Sequence, residues 1–192
     1  MTDRQLEYQT AARLASMIGQ ERLSREEAFR RLKSTGLPLP PSGLIDQELR
    51  RWFALFEPDS HARLLRRKRE ASLQIMKALR TWHPHLIGPV LSGAATESDL
   101  PVILLSGNAK ELELFFLARN IPYSPANRAL NISCITYLTA VGCTDLLIEI
   151  SEHPRYPRAT PPDPYQTPAE ALGKIDADSL EALLAEQSVN KD

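Results

Sequence analysis

Apolar residues along the first 85 positions recur at intervals of three and four. Leu6, Ala11, Leu14, Ala15 and Ile18 fall on one face of a helix over residues 5–19. A second helix begins at Ser24, where Glu27 follows three residues later in a capping-box pattern, and it ends near Gly36. The run Leu37-Pro38-Leu39-Pro40-Pro41 cannot continue a helix, because each proline lacks a backbone donor and drives the preceding residue toward extended geometry. Beyond it, Leu44, Ile45, Leu49, Trp52, Phe53 and Phe56 predict a third helix, closed by Glu57-Pro58-Asp59. Leu64, Leu65, Ala71, Ile75, Met76 and Leu79 predict a fourth over residues 61–82.

The period then changes. Residues 86–91 and 100–105 are short apolar runs of the kind that form buried strands, separated by a loop of small and polar residues. Residues 108–120 return to a helical pattern, with Leu112, Leu114, Phe115, Phe116 and Leu117 set against the sheet, and Ile121-Pro122-Tyr123 begins the return. Residues 130–138 and 144–150 are rich in β-branched and aromatic side chains, and Val141-Gly142 marks a hairpin turn between them. Pro154, Pro157, Pro161, Pro162, Pro164 and Pro168 predict an extended segment over the surface. Thr167-Pro168-Ala169-Glu170 restarts a helical turn, and Leu180, Leu183 and Leu184 mark a last short helix.

The expected class is α+β. A helical region over 1–85 precedes a mixed sheet packed with helices over 86–152 and a proline-rich tail with a short helix over 153–192.

Composition narrows the setting. Hydrophobic residues at 43% and charged residues at 24% are ordinary for a soluble globular protein, and no run reaches the roughly 18 to 20 apolar residues that span a bilayer. The N-terminus leads into charged sequence with no apolar signal core, which predicts a cytoplasmic protein with no membrane partner. Cys134 and Cys143 lack Cys-x-x-Cys spacing and read as reduced thiols. A net charge of −1 argues against nucleic acid as a partner held by bulk attraction. The basic run Arg63, Arg66, Arg67, Lys68, Arg69, Lys77 and Arg80 reads first as the solvated face of a helix, with a phosphate grip as the alternative. His83 and His85 flank Pro84 without a third ligand at suitable spacing and read as loop residues.

One segment carries candidate chemistry. Gly88-Pro89 closes the first apolar run, residues 90–98 make a nine-residue spacer, and Asp99-Leu100-Pro101 opens the second. The spacer ends in Gly93-Ala94-Ala95-Thr96-Glu97-Ser98, and a helix and a return strand follow. Over about residues 80–150 this order and spacing resemble the active-site segment of polymerase-β-type nucleotidyltransferases, bacterial members in particular. In that superfamily a Gly-Ser pair ends one strand, Asp-x-Asp lies in the next, and a later strand adds a third carboxylate. Close carboxylates then hold divalent ions that clamp the attacking and leaving oxygens.

The resemblance implies Asp99 as catalytic carboxylate and Gly88, Gly93 and Ser98 as nucleotide contacts. It also implies a metal set of Asp99 with Asp145 and Glu149, the last two sharing one face of a strand, and Mg2+ as cofactor if the protein is active. Pro89 and Pro101 stand where the family has a phosphate-binding hydroxyl and a second metal carboxylate. The expectation is a nucleotidyltransferase-fold protein whose transfer chemistry is lost or altered, acting in nucleotide binding or regulation. One alternative is an active metal-dependent nucleotidyltransferase using Asp99. Another is a protein-interaction module whose helical half and tail recruit a partner. For the residues themselves, Asp99 also reads as a turn or cap carboxylate, and Gly88-Pro89 as a strand bulge or edge.

Overall fold

A computed structural model describes residues 3–126, 134–160 and 163–189. Four helices come first: α1 (Asp3–Gly19), α2 (Arg25–Lys33), α3 (Ser42–Phe56) and α4 (Pro58–Ala78). The capping box at α2 forms as the sequence predicts, with Ser24 Oγ accepting from Glu27 N–H at 3.2 Å and Glu27 Oε2 accepting from Ser24 N–H at 3.0 Å. Pro58 takes the first position of α4, where a missing N–H costs no helical bond, so α4 begins ahead of the expected His61. Leu14, Ile18, Leu32, Ile45, Leu49 and Phe53 make a core for α1, α2 and α3, and Ala94 from a later loop inserts into it.

The sheet is mixed and six-stranded: β1 (His85–Ile87), β2 (Val102–Ser106), β3 (Tyr123–Pro125), β4 (Ile135–Val141), β5 (Thr144–Ser151) and β6 (Lys174–Ile175), in the order β3-β4-β5-β2-β1-β6. Only β2 and β5 run parallel among these neighbours. Helices α5 (Pro89–Ser92), α6 (Ala109–Ala118) and α7 (Ala177–Val189) complete the chain. Alternation along the strands turns Leu86, Ile103, Leu105, Tyr137, Ile148 and Ile150 into one core with residues of α4, α6 and α7. Each fully buried Leu, Ile or Phe contributes about 1.5–3 kcal/mol to that association. Helix α4 thus shares the core of the sheet, while α1, α2 and α3 form a separate one. The class is α+β, with the helices N-terminal to the sheet.

Three local features differ from the sequence pattern. The run 86–91 is not one strand: Gly88 at φ +75° ends β1, Pro89 is preset for a first helical position, and Val90 and Leu91 are buried from α5 instead. Periodicity cannot separate a short buried strand from a short buried helix, and here the Gly-Pro step decides. The run 100–105 enters the sheet only at Val102. Pro101 precedes it, where its carbonyl accepts from Leu147 N–H at 2.9 Å and no donor is needed. The expected strand over 130–138 is β4 from Ile135 onward, and residues 130–133 lie outside the described residues.

The Val141-Gly142 turn forms, with Gly142 at φ +60°. The tail after β5 has no regular element over residues 152–160 and returns through a turn of 3-10 helix, Glu170–Leu172, to β6. Thr167 and Glu170 make a capping box there, with Thr167 N–H donating to Glu170 Oε2 at 2.7 Å. Among the described residues, no helix is long and apolar enough to cross a membrane.

Candidate functional site

The segment from Gly88 to Asp99 lies between β1 and β2. Its shape follows from its glycines. Gly88 breaks the strand, α5 makes a single turn, and Gly93 at φ +82° closes it in the left-handed conformation favoured after a helix. The chain then turns through Thr96 to Asp99, where Asp99 Oδ2 accepts from Thr96 N–H at 2.8 Å and from Thr96 Oγ1–H at 2.9 Å. That is the bonding of a turn carboxylate to its own backbone.

Helices α2, α3 and α4 grip the segment with cations. Arg25 spans three acceptors: Asp99 Oδ2 at 3.2 Å, Asp46 Oδ1 at 2.8 Å and the Ala94 carbonyl at 2.8 Å. Burial works against its charge, but Asp46 and Asp99 outweigh that cost and raise its pKa. Lys68 Nζ donates to the carbonyls of Thr96 at 2.8 Å, Glu97 at 2.9 Å and Asp99. Burial lowers its pKa, with Asp99 and Glu97 opposing. Arg69 donates to the Val90 carbonyl at 3.0 Å, the Leu91 carbonyl at 2.9 Å and Glu170 Oε1 at 2.7 Å. Arg50 reaches the Ser92 carbonyl at 3.3 Å and pairs with Asp163 of the tail.

His61 completes the grip. Its Nε2 lies 2.9 Å from the Ala95 carbonyl, and since a carbonyl only accepts, Nε2 carries the proton. The ring stacks on Phe53 with centroids 3.9 Å apart and planes 3° from parallel.

The expected site residues are distributed as follows. Asp99 faces Arg25 and Thr96. Gly88 is half-buried at the end of β1, with open space where a Cβ would stand. Gly93 is buried, and a Cβ there would come within 3.5 Å of Glu170 Oε1. Ser98 is exposed, its Oγ 3.0 Å from Thr96 Oγ1. Asp145 is exposed on β5 opposite Ala140, and Glu149 is buried on the same strand between Leu104 and Thr136. Glu149 pairs with Leu104, inside β2, whereas Asp99 lies in the turn that precedes that strand. Among the described residues, no group of three or more His, Cys, Asp or Glu side chains is arranged to hold a metal ion.

No protein-family model, curated protein or solved structure matches this chain.

The basic run of α4 and of the 3-10 turn after it, Arg80–Trp82, divides between surface and interior. Arg66 and Arg67 make surface pairs with Glu70 and Glu97, and Lys77 and Arg80 with Glu181 and Asp178. Lys68 and Arg69 are buried and bind backbone carbonyls. Sequence reasoning does not single out Arg25, Arg50 or His61, and it reads Lys68 and Arg69 as solvated. A signal for the last two exists: they fall three and four positions after Leu65, inside the stripe that continues to Ser72, Ile75 and Met76.

Beside the gripped segment lies a cleft of about 950 Å³ between the α1–α2 turn, the α3–α4 junction and Thr96 to Ser98. Ile18, Leu23, Phe53 and Leu64 give it apolar walls.

Proposed function

We propose that this chain is a nucleotidyltransferase-like protein without transfer chemistry, acting in the cytoplasm as a binding or regulatory protein. The observation that carries this reading is the bonding of Asp99. Its Oδ2 accepts both from Thr96 and from Arg25, so the family's metal carboxylate is a structural acceptor in this protein. Against a two-magnesium site stand Pro101, which offers no ligand, and Glu149, which pairs with Leu104 inside the sheet while Asp99 lies in the turn before β2. A binding role, with a nucleotide as the first ligand to test, is what the remaining architecture supports.

The test is an assay for transfer from radiolabelled nucleoside triphosphates with Mg2+, run beside calorimetric titration of the same nucleotides. Transfer that depends on Mg2+ and disappears in Asp99→Asn would establish the active enzyme instead. The expected result is no transfer in either protein.

A second reading, an interaction module, rests on α6, whose Leu112 and Phe116 are buried while Leu114 and Leu117, expected against the sheet, are 65% and 63% exposed. The tail is less suited to recruitment than its composition suggests, because Asp163 is pinned by Arg50 and Glu170 by Arg69.

A further inference from the structure

In the lining of the cleft, Arg22 and Glu57 form a forked ion pair. Arg22 Nη1 donates to Glu57 Oε2 at 3.3 Å, and Nη2 donates to Oε1. Arg22 sits in the left-handed backbone region at φ +58°, which a side-chain-bearing residue seldom occupies. Its side chain is 65% exposed against 23% for Glu57. The carboxylate therefore belongs to the wall, and the guanidinium lies over it from outside.

The other charged groups lining the cleft are Glu27 and Glu97. Glu27 is held by Ser24 at the start of α2, and Glu97 pairs with Arg67 at 2.7 Å on the surface. Glu27 and Glu97 are thus committed to partners of their own, which leaves Glu57, covered by the exposed Arg22, as the carboxylate open to exchange. Leu23 and Leu64, both half-buried, are the apolar lining residues that a ligand body can reach, whereas Ile18 and Phe53 are buried.

We propose that this cleft binds a small ligand bearing a flat amidine or guanidine cation on an apolar body, and that Arg22 fills the ligand's charge position in the free protein. A planar cation with paired N–H groups matches the fork that Glu57 already makes, and the apolar body covers Leu23 and Leu64. Arg22 is then an internal competitor, released when the ligand arrives. This assignment uses neither Asp99 nor the sheet and stands apart from the nucleotidyltransferase reading.

Benzamidine is the probe, titrated into the full chain by calorimetry and by amide chemical shifts, with uncharged benzamide and anionic benzoate as matched controls. Benzamidine is expected to shift the amides of Leu23, Leu64 and Ser98, and the controls are not. Arg22→Ala should tighten benzamidine about fivefold by removing the competitor. Glu57→Gln should abolish binding. If Glu57→Gln does not fold, Leu64→Trp, which fills the cleft, must block benzamidine instead. Binding of benzoate as tight as benzamidine, unchanged affinity in Arg22→Ala, or no cleft shifts at millimolar benzamidine each overturns the proposal.

Discussion

Arg69 on α4 and Glu170 in the tail meet 101 positions apart in sequence, with Nη2 2.7 Å from Oε1 and side-chain exposures of 0% and 8%. The same guanidinium holds the carbonyls of Val90 and Leu91, so one buried cation joins α4, the segment after β1 and the tail. Removing one member of such a pair leaves an uncompensated buried charge, which costs about 3–5 kcal/mol. Arg69→Met and Glu170→Gln should each lower stability by that order in urea denaturation, and the double variant should lose less than the two together. Losses under about 0.5 kcal/mol would show the pair to be a bystander.

Lys68 Nζ donates to three turn carbonyls, those of Thr96, Glu97 and Asp99. Lys68→Met should therefore cost about 2–4 kcal/mol, since three buried or part-buried carbonyls lose a charged donor. Amide exchange over residues 94–99 should rise more than exchange in β2 and β5. Uniform acceleration across the sheet would mean that Lys68 supports the whole fold rather than this segment.

His61 gives a pH dependence with a definite sign. Burial, assisted by Arg69, holds its pKa below the usual 6.5, against opposing pulls from the Ala95 carbonyl, Glu57 and Glu170. The unfolded chain then binds the proton more readily than the native one. The stability contribution is complete above about pH 6.5 and is lost as pH falls below that value toward the folded pKa. Denaturation midpoints should decline between pH 7 and 5, and His61→Gln, which keeps a donor for Ala95 but does not titrate, should flatten the decline. An equally steep decline in the variant would assign the effect to other groups.

At the end of α1, Gly19 is required by contact. A Cβ there would stand 2.5 Å from the Trp52 ring. Gly19→Ala should lower stability by about 1–3 kcal/mol through overpacking, with a visible change in tryptophan fluorescence. Gly43→Ala, at a position with nothing within 4 Å, is the control and should be near neutral.

Much of this architecture is legible in the chain because periodicity reports which face is buried. The stripes of α1, α3 and α4, the Ser24 and Thr167 boxes and the Gly142 turn follow from local chemistry alone. The joint between the helices and the sheet does not. Arg25, Lys68 and Arg69 bind carbonyls that lie 21 to 69 positions away, and a carbonyl is the same at every residue, so no sequence pattern marks it. Glu170 illustrates the division: its capping of Thr167 is a local pattern, while its pairing with Arg69 belongs to tertiary structure. β6 escapes because two residues have no period. At the candidate site, spacing identifies Asp99 as notable, but only its contacts reveal that Thr96 and Arg25 hold it.

The account turns on Asp99 as a structural acceptor. Equilibrium unfolding of Asp99→Ala beside the unaltered protein, with no nucleotide or metal present, tests this most directly. Loss of the Thr96 N–H acceptor and of the Arg25 partner should lower stability by about 2–4 kcal/mol. Stability unchanged or improved by the substitution, as at catalytic carboxylates held at a cost to the fold, would contradict it.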